Sequence, residues 1–163
     1  MGGDSILNKN DGYSLAEIRD FIVVKLQEKA IVYEIKEESD LIHIYIDKLS
    51  NFVCSICALD IKVGHLKGYL CFNLDEGKDH DLLSMQKAVE HIMAIINHDL
   101  YQVETYKFHK LCCVKQYQII DDKKVFCSGL WILHFFYFLP FVKKEVKEVC
   151  YNFINGKFQI RSS

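Results

Sequence analysis

The chain has 163 residues, is 50% hydrophobic and 26% charged, contains a single proline and carries a formal net charge of −2. This length is typical of one domain that buries a sizeable core without disulfides or metals, and the composition excludes disordered, collagen-like and linker-rich architectures. The net charge and the presence of only two arginines, Arg19 and Arg161, exclude a generally cationic nucleic-acid binder, so we expect no nucleic-acid partner.

The charge is unevenly distributed along the chain. Residues 1–99 carry 17 acidic and 10 basic side chains, a formal charge of −7, whereas residues 100–163 carry 5 acidic and 10 basic side chains, a formal charge of +5. Two interpretations remain open: ordinary solvated faces, or a polar surface that orients a partner.

The first half of the chain predicts a helix followed by a meander. Residues 1–13 form a polar lead-in, and residues 14–163 are interpreted as a single α+β domain. Ser14-Leu-Ala-Glu17 is a capping box, and the helical spacing of the apolar residues that follow predicts a helix over 14–29. Short runs of β-branched and aromatic residues with short connections then predict four antiparallel strands, over 31–36, 41–46, 52–61 and 66–72.

The second half predicts a similar alternation. An amphipathic stripe predicts a helix that is capped at Asp79–Asp81 and ends near Asn97. Strands are predicted over 100–109 and 112–120, and a long strand from Val125 onward. The spacing of Val142, Val146, Val149 and Phe153 predicts a last helix over 141–154, which Asn155-Gly156 would end. The expected fold is α+β: an antiparallel sheet in the order α-ββββ-α-βββ-α, with helices packed on the sheet.

That order of elements resembles the fold of the type III secretion chaperones and of the YbjN-like family of bacterial proteins. The resemblance rests on the opening helix 14–29, the meander 31–72, the second helix closing in Ile95-Ile-Asn97, the strands after Tyr101 and the last helix 141–154. It implies protein binding and regulation, often as a homodimer, and brings no catalytic motif. Many toxin-immunity proteins are likewise small α+β domains, which is a second analogy at the level of fold.

The seven cysteines predict neither a disulfide framework nor a metal site. Their number is odd, and no secretory signal precedes them, so we interpret them as reduced thiols of a cytoplasmic protein. The sequence has one C-x-x-C motif, Cys54-Ser-Ile-Cys57. Three positions apart in a strand, these two cysteines would point to opposite faces, so we expect no metal there.

No nucleotide, serine-hydrolase or zinc-protease motif is present in the sequence, and we expect no cofactor and no catalytic residues. The alternative is a cysteine-dependent hydrolase, because seven cysteines and seven histidines could meet in space without a local signature.

The longest apolar run covers 130–142 and is too short, at 13 residues, to span a membrane. Bulky side chains occupy both faces of the strand predicted there, so the strand is either covered on both sides or leaves one aromatic row for a partner. Trp131, Phe136 and Tyr137 are the candidate partner-binding residues. The sequence thus favours a non-enzymatic protein-binding module of the toxin-immunity, secretion-chaperone or regulator kind, which binds and occludes or stabilises a partner protein. A homodimer is a further possible assembly.

Overall fold

The computed structural model describes residues 12–74, 77–132 and 143–161. These residues form two helices, each followed by five antiparallel strands. The first unit comprises α1 (Leu15–Glu28), β1 (Glu34–Glu38), β2 (Leu41–Asp47), β3 (Phe52–Cys57), β4 (Asp60–His65) and β5 (Gly68–Asn73). The second comprises α2 (Lys78–Asn97), β6 (Asp99–Lys107), β7 (Lys110–Ile120), β8 (Lys123–Trp131), β9 (Lys144–Ile154) and β10 (Lys157–Ile160).

Both helices form where the sequence predicts them. Ser14 and Glu17 make the capping box at the start of α1: the Glu17 backbone N–H donates to Ser14 Oγ at 3.3 Å, and the Ser14 backbone N–H donates to Glu17 Oε2 at 2.8 Å. The helix α2 begins at Lys78 without a side-chain cap. Gly77, with φ +96°, turns the chain into it, so the predicted cap at Asp79–Asp81 lies inside the first turn.

The predicted order α-ββββ-α-βββ-α is wrong in three places, one of which is the last strand, β10, which was not predicted. The predicted strand 52–61 is a hairpin of β3 and β4, because the buried alternation of Phe52, Cys54 and Ile56 changes phase before Ile61. The predicted helix 141–154 is the strand β9, which pairs with β6 from Lys144 to Tyr151.

The error at β9 has a physical explanation. The spacing of Val142, Val146, Val149 and Phe153 fits a helix, but the alternate residues Val149, Tyr151 and Phe153 fit a strand equally well, and pairing with β6 decides between them. Asn155 and Gly156, with φ of +52° and +78°, form the turn of a hairpin to β10 rather than a helix end.

The ten strands form one antiparallel sheet in the order β1-β2-β3-β4-β5-β8-β7-β6-β9-β10. The helices pack against one face, here called the inner face, and the opposite face is the outer face. The sheet is curved so that its ends approach each other: the Phe158 backbone N–H on β10 donates to Asp47 Oδ2 on β2 at 3.3 Å, and Phe153 and Phe158 both contact the ring of Phe52.

The hydrophobic core lies between the helices and the inner face. Ile18, Ile22 and Leu26 of α1 and Met85 and Ile92 of α2 are buried there. Neither of the helices that the described residues form is long and apolar enough to cross a membrane.

Candidate functional surfaces

The outer face of β7 and β8 carries exposed aromatic side chains. The register places Tyr117 opposite Phe126 and Cys113 opposite Trp131. Phe126 is 60% exposed and Trp131 is 57% exposed, and the Tyr117 and Phe126 rings meet edge to face with centroids 5.8 Å apart. Aromatic residues are enriched at protein–protein interfaces relative to the rest of the surface.

Gly129 lies between Phe126 and Trp131 in the strand β8. It lies on the outer face opposite Lys115, and a β-carbon built on it would lie 3.7 Å from Phe126 Cζ and 2.8 Å from the Val114 carbonyl oxygen. The Phe126 ring therefore lies within van der Waals distance of this position, and the nearby Val114 carbonyl leaves no room for a β-carbon at residue 129. We call the surface formed by Tyr117, Phe126, Gly129 and Trp131 the aromatic strip.

Lysines border the aromatic strip. Lys115 Nζ lies 5.7 Å from the centroid of the Trp131 ring. Lys124 Nζ lies 3.3 Å from the ring centroid of Tyr101 on β6, the strand on the other side of β7. The Tyr101 hydroxyl donates to the Glu148 carboxylate. Of the three candidate partner-binding residues, Trp131 is thus on the outer face of the sheet, whereas Phe136 and Tyr137 lie outside the described residues.

Behind the aromatic strip, the inner face carries a buried polar network. Gln102 Nε2 donates to Glu104 Oε1 at 2.6 Å, and Gln116 Nε2 donates to Gln102 Oε1 at 2.7 Å. Ser128 Oγ donates to Gln116 Oε1 and lies 3.2 Å from His65 Nε2. These five side chains are all at most 1% exposed.

The network extends to the surface through Lys67, in the turn between β4 and β5. Its ammonium lies 2.7 Å from Glu104 Oε2, and the Tyr106 hydroxyl donates to the same oxygen. Burial raises the pKa of Glu104, but the hydrogen bonds from Lys67, Tyr106 and Gln102 outweigh it, so the pKa of Glu104 lies below its ordinary value. Glu104 is therefore ionised at neutral pH.

Sequence patterns gave no sign of this network. Gln102 and Glu104 alternate with Tyr101 and Val103, so ordinary alternation predicts that the polar residues face solvent. The structure has the reverse arrangement. Only Gly68 is a local sign of the buried Gln116, because any side chain at residue 68 would overlap with it. This constraint is visible only in the folded structure.

Two histidines lie at the edge of the network. The rings of His65 on β4 and His91 on α2 have centroids 5.5 Å apart. Burial lowers the pKa of His65 to about 3, with a smaller contribution from His91, and lowers the pKa of His91 to about 4. Both rings are neutral at pH 7, and His65 Nδ1 and His91 Nε2 have no hydrogen-bond partner among the described residues.

This arrangement does not favour serine chemistry. Ser128 is 1% exposed and lies beside His65, whose pKa is too low for a general base at neutral pH. A substrate has no access to the hydroxyl of a fully buried serine.

Five of the cysteines have a raised pKa, which is unlike that of a nucleophile. A reactive cysteine needs a lowered pKa, whereas burial raises the pKa of Cys54 to about 12 and that of Cys127 to about 11. Burial likewise raises the pKa of Cys71, Cys113 and Cys150.

The C-x-x-C cysteines occupy different environments. Cys54 is buried in the core, whereas Cys57, at the end of β3, donates to Asp60 Oδ1 at 3.3 Å. Across the part of the chain that the structure describes, no group of three or more His, Cys, Asp or Glu side chains is arranged to hold a metal ion.

A second apolar surface surrounds a cleft of about 710 Å³ between the α1–β1 connection and the β9–β10 hairpin. Val32 and Leu49 line it and are 82% and 87% exposed. Lys48 and Glu34, which also line it, form an ion pair at 2.6 Å. Single exposed aliphatic residues are common on protein surfaces, and these two provide control positions for tests of the aromatic strip.

Comparisons with protein-family models, with curated proteins and with solved structures find no match. The resemblance to the secretion chaperones and the YbjN-like family therefore stays a prediction.

Proposed function

We propose that this chain is a non-enzymatic protein-binding module whose aromatic strip binds an acidic surface of a partner protein. The observation that carries the proposal is the exposure of Trp131 and Phe126 on the same outer face of β8. Tryptophan and other aromatic residues contribute most of the binding energy at many protein interfaces. Because these side chains are held on a strand of the sheet, little conformational entropy is lost when a partner covers them.

The charge around the strip defines the partner. Lys115 and Lys124 lie beside it, and residues 100–163 carry a formal charge of +5. Two copies of the chain that met through this surface would bring these lysines together, which is unfavourable. An acidic surface on a different protein would complement them, so we favour a heterologous partner over a homodimer.

Aromatic and lysine residues on a sheet could also bind single-stranded nucleic acid. We favour protein because both arginines are already engaged: Arg19 pairs with Asp20 and Glu37, and Arg161 pairs with Asp99. The overall charge of −2 also opposes long-range attraction of a polyanion.

Toxin-immunity proteins, secretion chaperones and regulators would all use such a surface in the same physical way, by occluding or stabilising the partner in the cytoplasm. The cysteine-hydrolase alternative is less favoured because burial raises the thiol pKa values.

The test is quantitative capture of binding proteins from the host with four immobilised chains: the wild type, Trp131→Ala, Phe126→Ala and the control Leu49→Ser. We expect one acidic protein to be retained by the wild type and by Leu49→Ser, and to be reduced at least tenfold with either strip variant. Each variant is first checked for unchanged melting temperature, and the purified partner is then titrated at increasing salt, which should weaken binding.

Three outcomes would overturn the proposal. They are equal capture by the strip variants and the wild type, loss of capture with Leu49→Ser alone, and recovery of nucleic acid in place of protein.

A further inference from the structure

A groove of about 620 Å³ lies on the outer face of β2, β3, β4 and β5 and is bordered by Leu111 and Leu130 of the second unit. Its polar lining includes a row of side chains across three strands. The register places Lys62 on β4 opposite Ser55 on β3, and Ser55 opposite His43 on β2. Side chains that lie opposite each other on neighbouring strands share one face of the sheet.

His43 and Ser55 present a hydrogen-bond donor in this groove. His43 Nδ1 lies 2.8 Å from Ser55 Oγ. A neutral imidazole and a hydroxyl together have two polar hydrogens, and their mutual bond uses one. If Ser55 donates to His43, the other ring nitrogen keeps its N–H; if His43 donates to Ser55, the hydroxyl keeps its O–H. Either tautomer leaves one donor for a ligand.

The groove is positively charged. Lys62 and Lys67 are the charged side chains among the described residues that line it. Glu104 neutralises Lys67. Lys62 Nζ lies over the Tyr69 ring at 4.0 Å from its centroid, and no described carboxylate lies within ion-pair distance of it. The charge of Lys62 is therefore available to an anion.

The rest of the lining is mainly apolar. Val53, Leu66, Leu111 and Leu130 line the same groove, so a ligand with an apolar body would bury hydrocarbon surface there. The volume is within the range of about 300–1,000 Å³ that is usual for small-molecule sites. One cation, one spare donor and an apolar wall together match an oxyanion attached to a hydrocarbon group.

We propose that this groove binds a small amphipathic anion. Its carboxylate, sulfate or phosphate head lies between Lys62 and the His43–Ser55 pair, and its hydrocarbon body packs along Val53, Leu111 and Leu130. The site involves none of the residues of the aromatic strip, so the test of this site does not depend on the test of partner binding.

The test is calorimetric titration of the full chain with hexyl sulfate, and separately with hexanol and with inorganic sulfate. We expect saturable binding of hexyl sulfate, and binding at least tenfold weaker for each of the other two probes, because each lacks one part of the recognised structure. Lys62→Met should weaken hexyl sulfate binding at least tenfold. Lys29→Met, which removes an exposed lysine at the end of α1, should leave it unchanged.

Ser55→Ala provides a second variant: it removes the hydroxyl and the hydrogen bond that orients His43, so we expect binding to weaken by about threefold to tenfold. Melting temperatures establish that each variant is folded before it is titrated. The proposal is wrong if hexyl sulfate shows no saturable binding, if hexanol binds as tightly, or if Lys62→Met and Lys29→Met bind hexyl sulfate equally.

Discussion

Lys67, in the turn between β4 and β5, places its ammonium 2.7 Å from the carboxylate of Glu104 on β6, 37 positions later in the chain. This ion pair joins the first five strands to the inner face of the second five. Direct pairing between the two sets is limited, with one residue pair between β5 and β8, Tyr69 with Gly129. The contact of Lys67 with Glu104 is therefore a main polar link between the two units.

Replacing Lys67 with methionine should lower the free energy of unfolding by about 1–3 kcal/mol, because it leaves the buried Glu104 carboxylate without its counter-charge. Urea unfolding of the wild type and the variant measures this change. Lys29→Met is the matched control and should change stability by less than about 0.5 kcal/mol.

The double variant Lys67→Met, Glu104→Leu separates loss of the pair from loss of packing. It should recover part of the lost stability, since no buried charge remains. Equal stability of Lys67→Met and Lys29→Met would show that the pair does not hold the two units together.

The buried histidines predict acid sensitivity. The folded-state pKa values of His65 and His91 are lowered to about 3 and about 4, so the unfolded chain, in which a histidine titrates near 6.5, takes up these protons first as the pH falls. The contribution of the two neutral histidines to the free energy of unfolding is therefore complete above about pH 6.5 and is lost progressively below it. The slope between pH 6 and 5 should approach about 1.4 kcal/mol per pH unit for each histidine.

His91→Leu tests the origin of this slope. It removes one of the two groups and should reduce the slope, whereas His109→Gln, at an exposed position, should leave it unchanged. Chemical unfolding at a series of pH values gives the three slopes, and identical slopes for all three proteins would contradict the assignment to His91.

The β9–β10 hairpin predicts a conformational effect at Gly156. Its φ of +78° is unfavourable for residues with a side chain, and a β-carbon there would contact nothing within 4 Å. Gly156→Ala should therefore destabilise the protein by about 1 kcal/mol through backbone strain alone. Ser39→Ala, in the exposed β1–β2 turn, is the control. A wild-type melting temperature for Gly156→Ala would contradict the left-handed turn conformation of Gly156.

The thiols should react slowly. Because burial raises the pKa of Cys54 to about 12 and that of Cys127 to about 11, we expect a disulfide reagent at pH 8 to modify them only as the protein unfolds. The exposed Cys71 should be modified first. Mass spectrometry of a labelling time course gives the order. A cysteine that reacts faster than a free thiol would revive the hydrolase alternative.

The helices were predictable because their signals are local. The capping box Ser14–Glu17 and the stripe through Met85 and Ile92 act within a few turns of one helix. The strand β9 was not predictable because Val146, Val149 and Phe153 satisfy a helical period as well as an alternating one, and only pairing with β6 selects the strand.

The functional surfaces were predictable only in part. Trp131 stood out because bulky residues flank it, but the place of Phe126 on the same outer face follows only from the pairing of β8 with β7. The inner network of Gln102, Glu104 and Gln116 opposes the usual alternation, since these residues are buried through tertiary contacts with Lys67 and His65.

The aromatic strip is tested most directly through Trp131, the only tryptophan of the chain. The chain labelled with 5-fluorotryptophan gives one fluorine resonance, whose shift between H₂O and D₂O reports solvent contact of the indole. We expect a clear solvent shift for the free protein, because Trp131 is 57% exposed. We expect this shift to be lost when the captured acidic partner is added to saturation. A resonance that keeps its position and its solvent shift in the saturated complex would show that the partner does not cover Trp131.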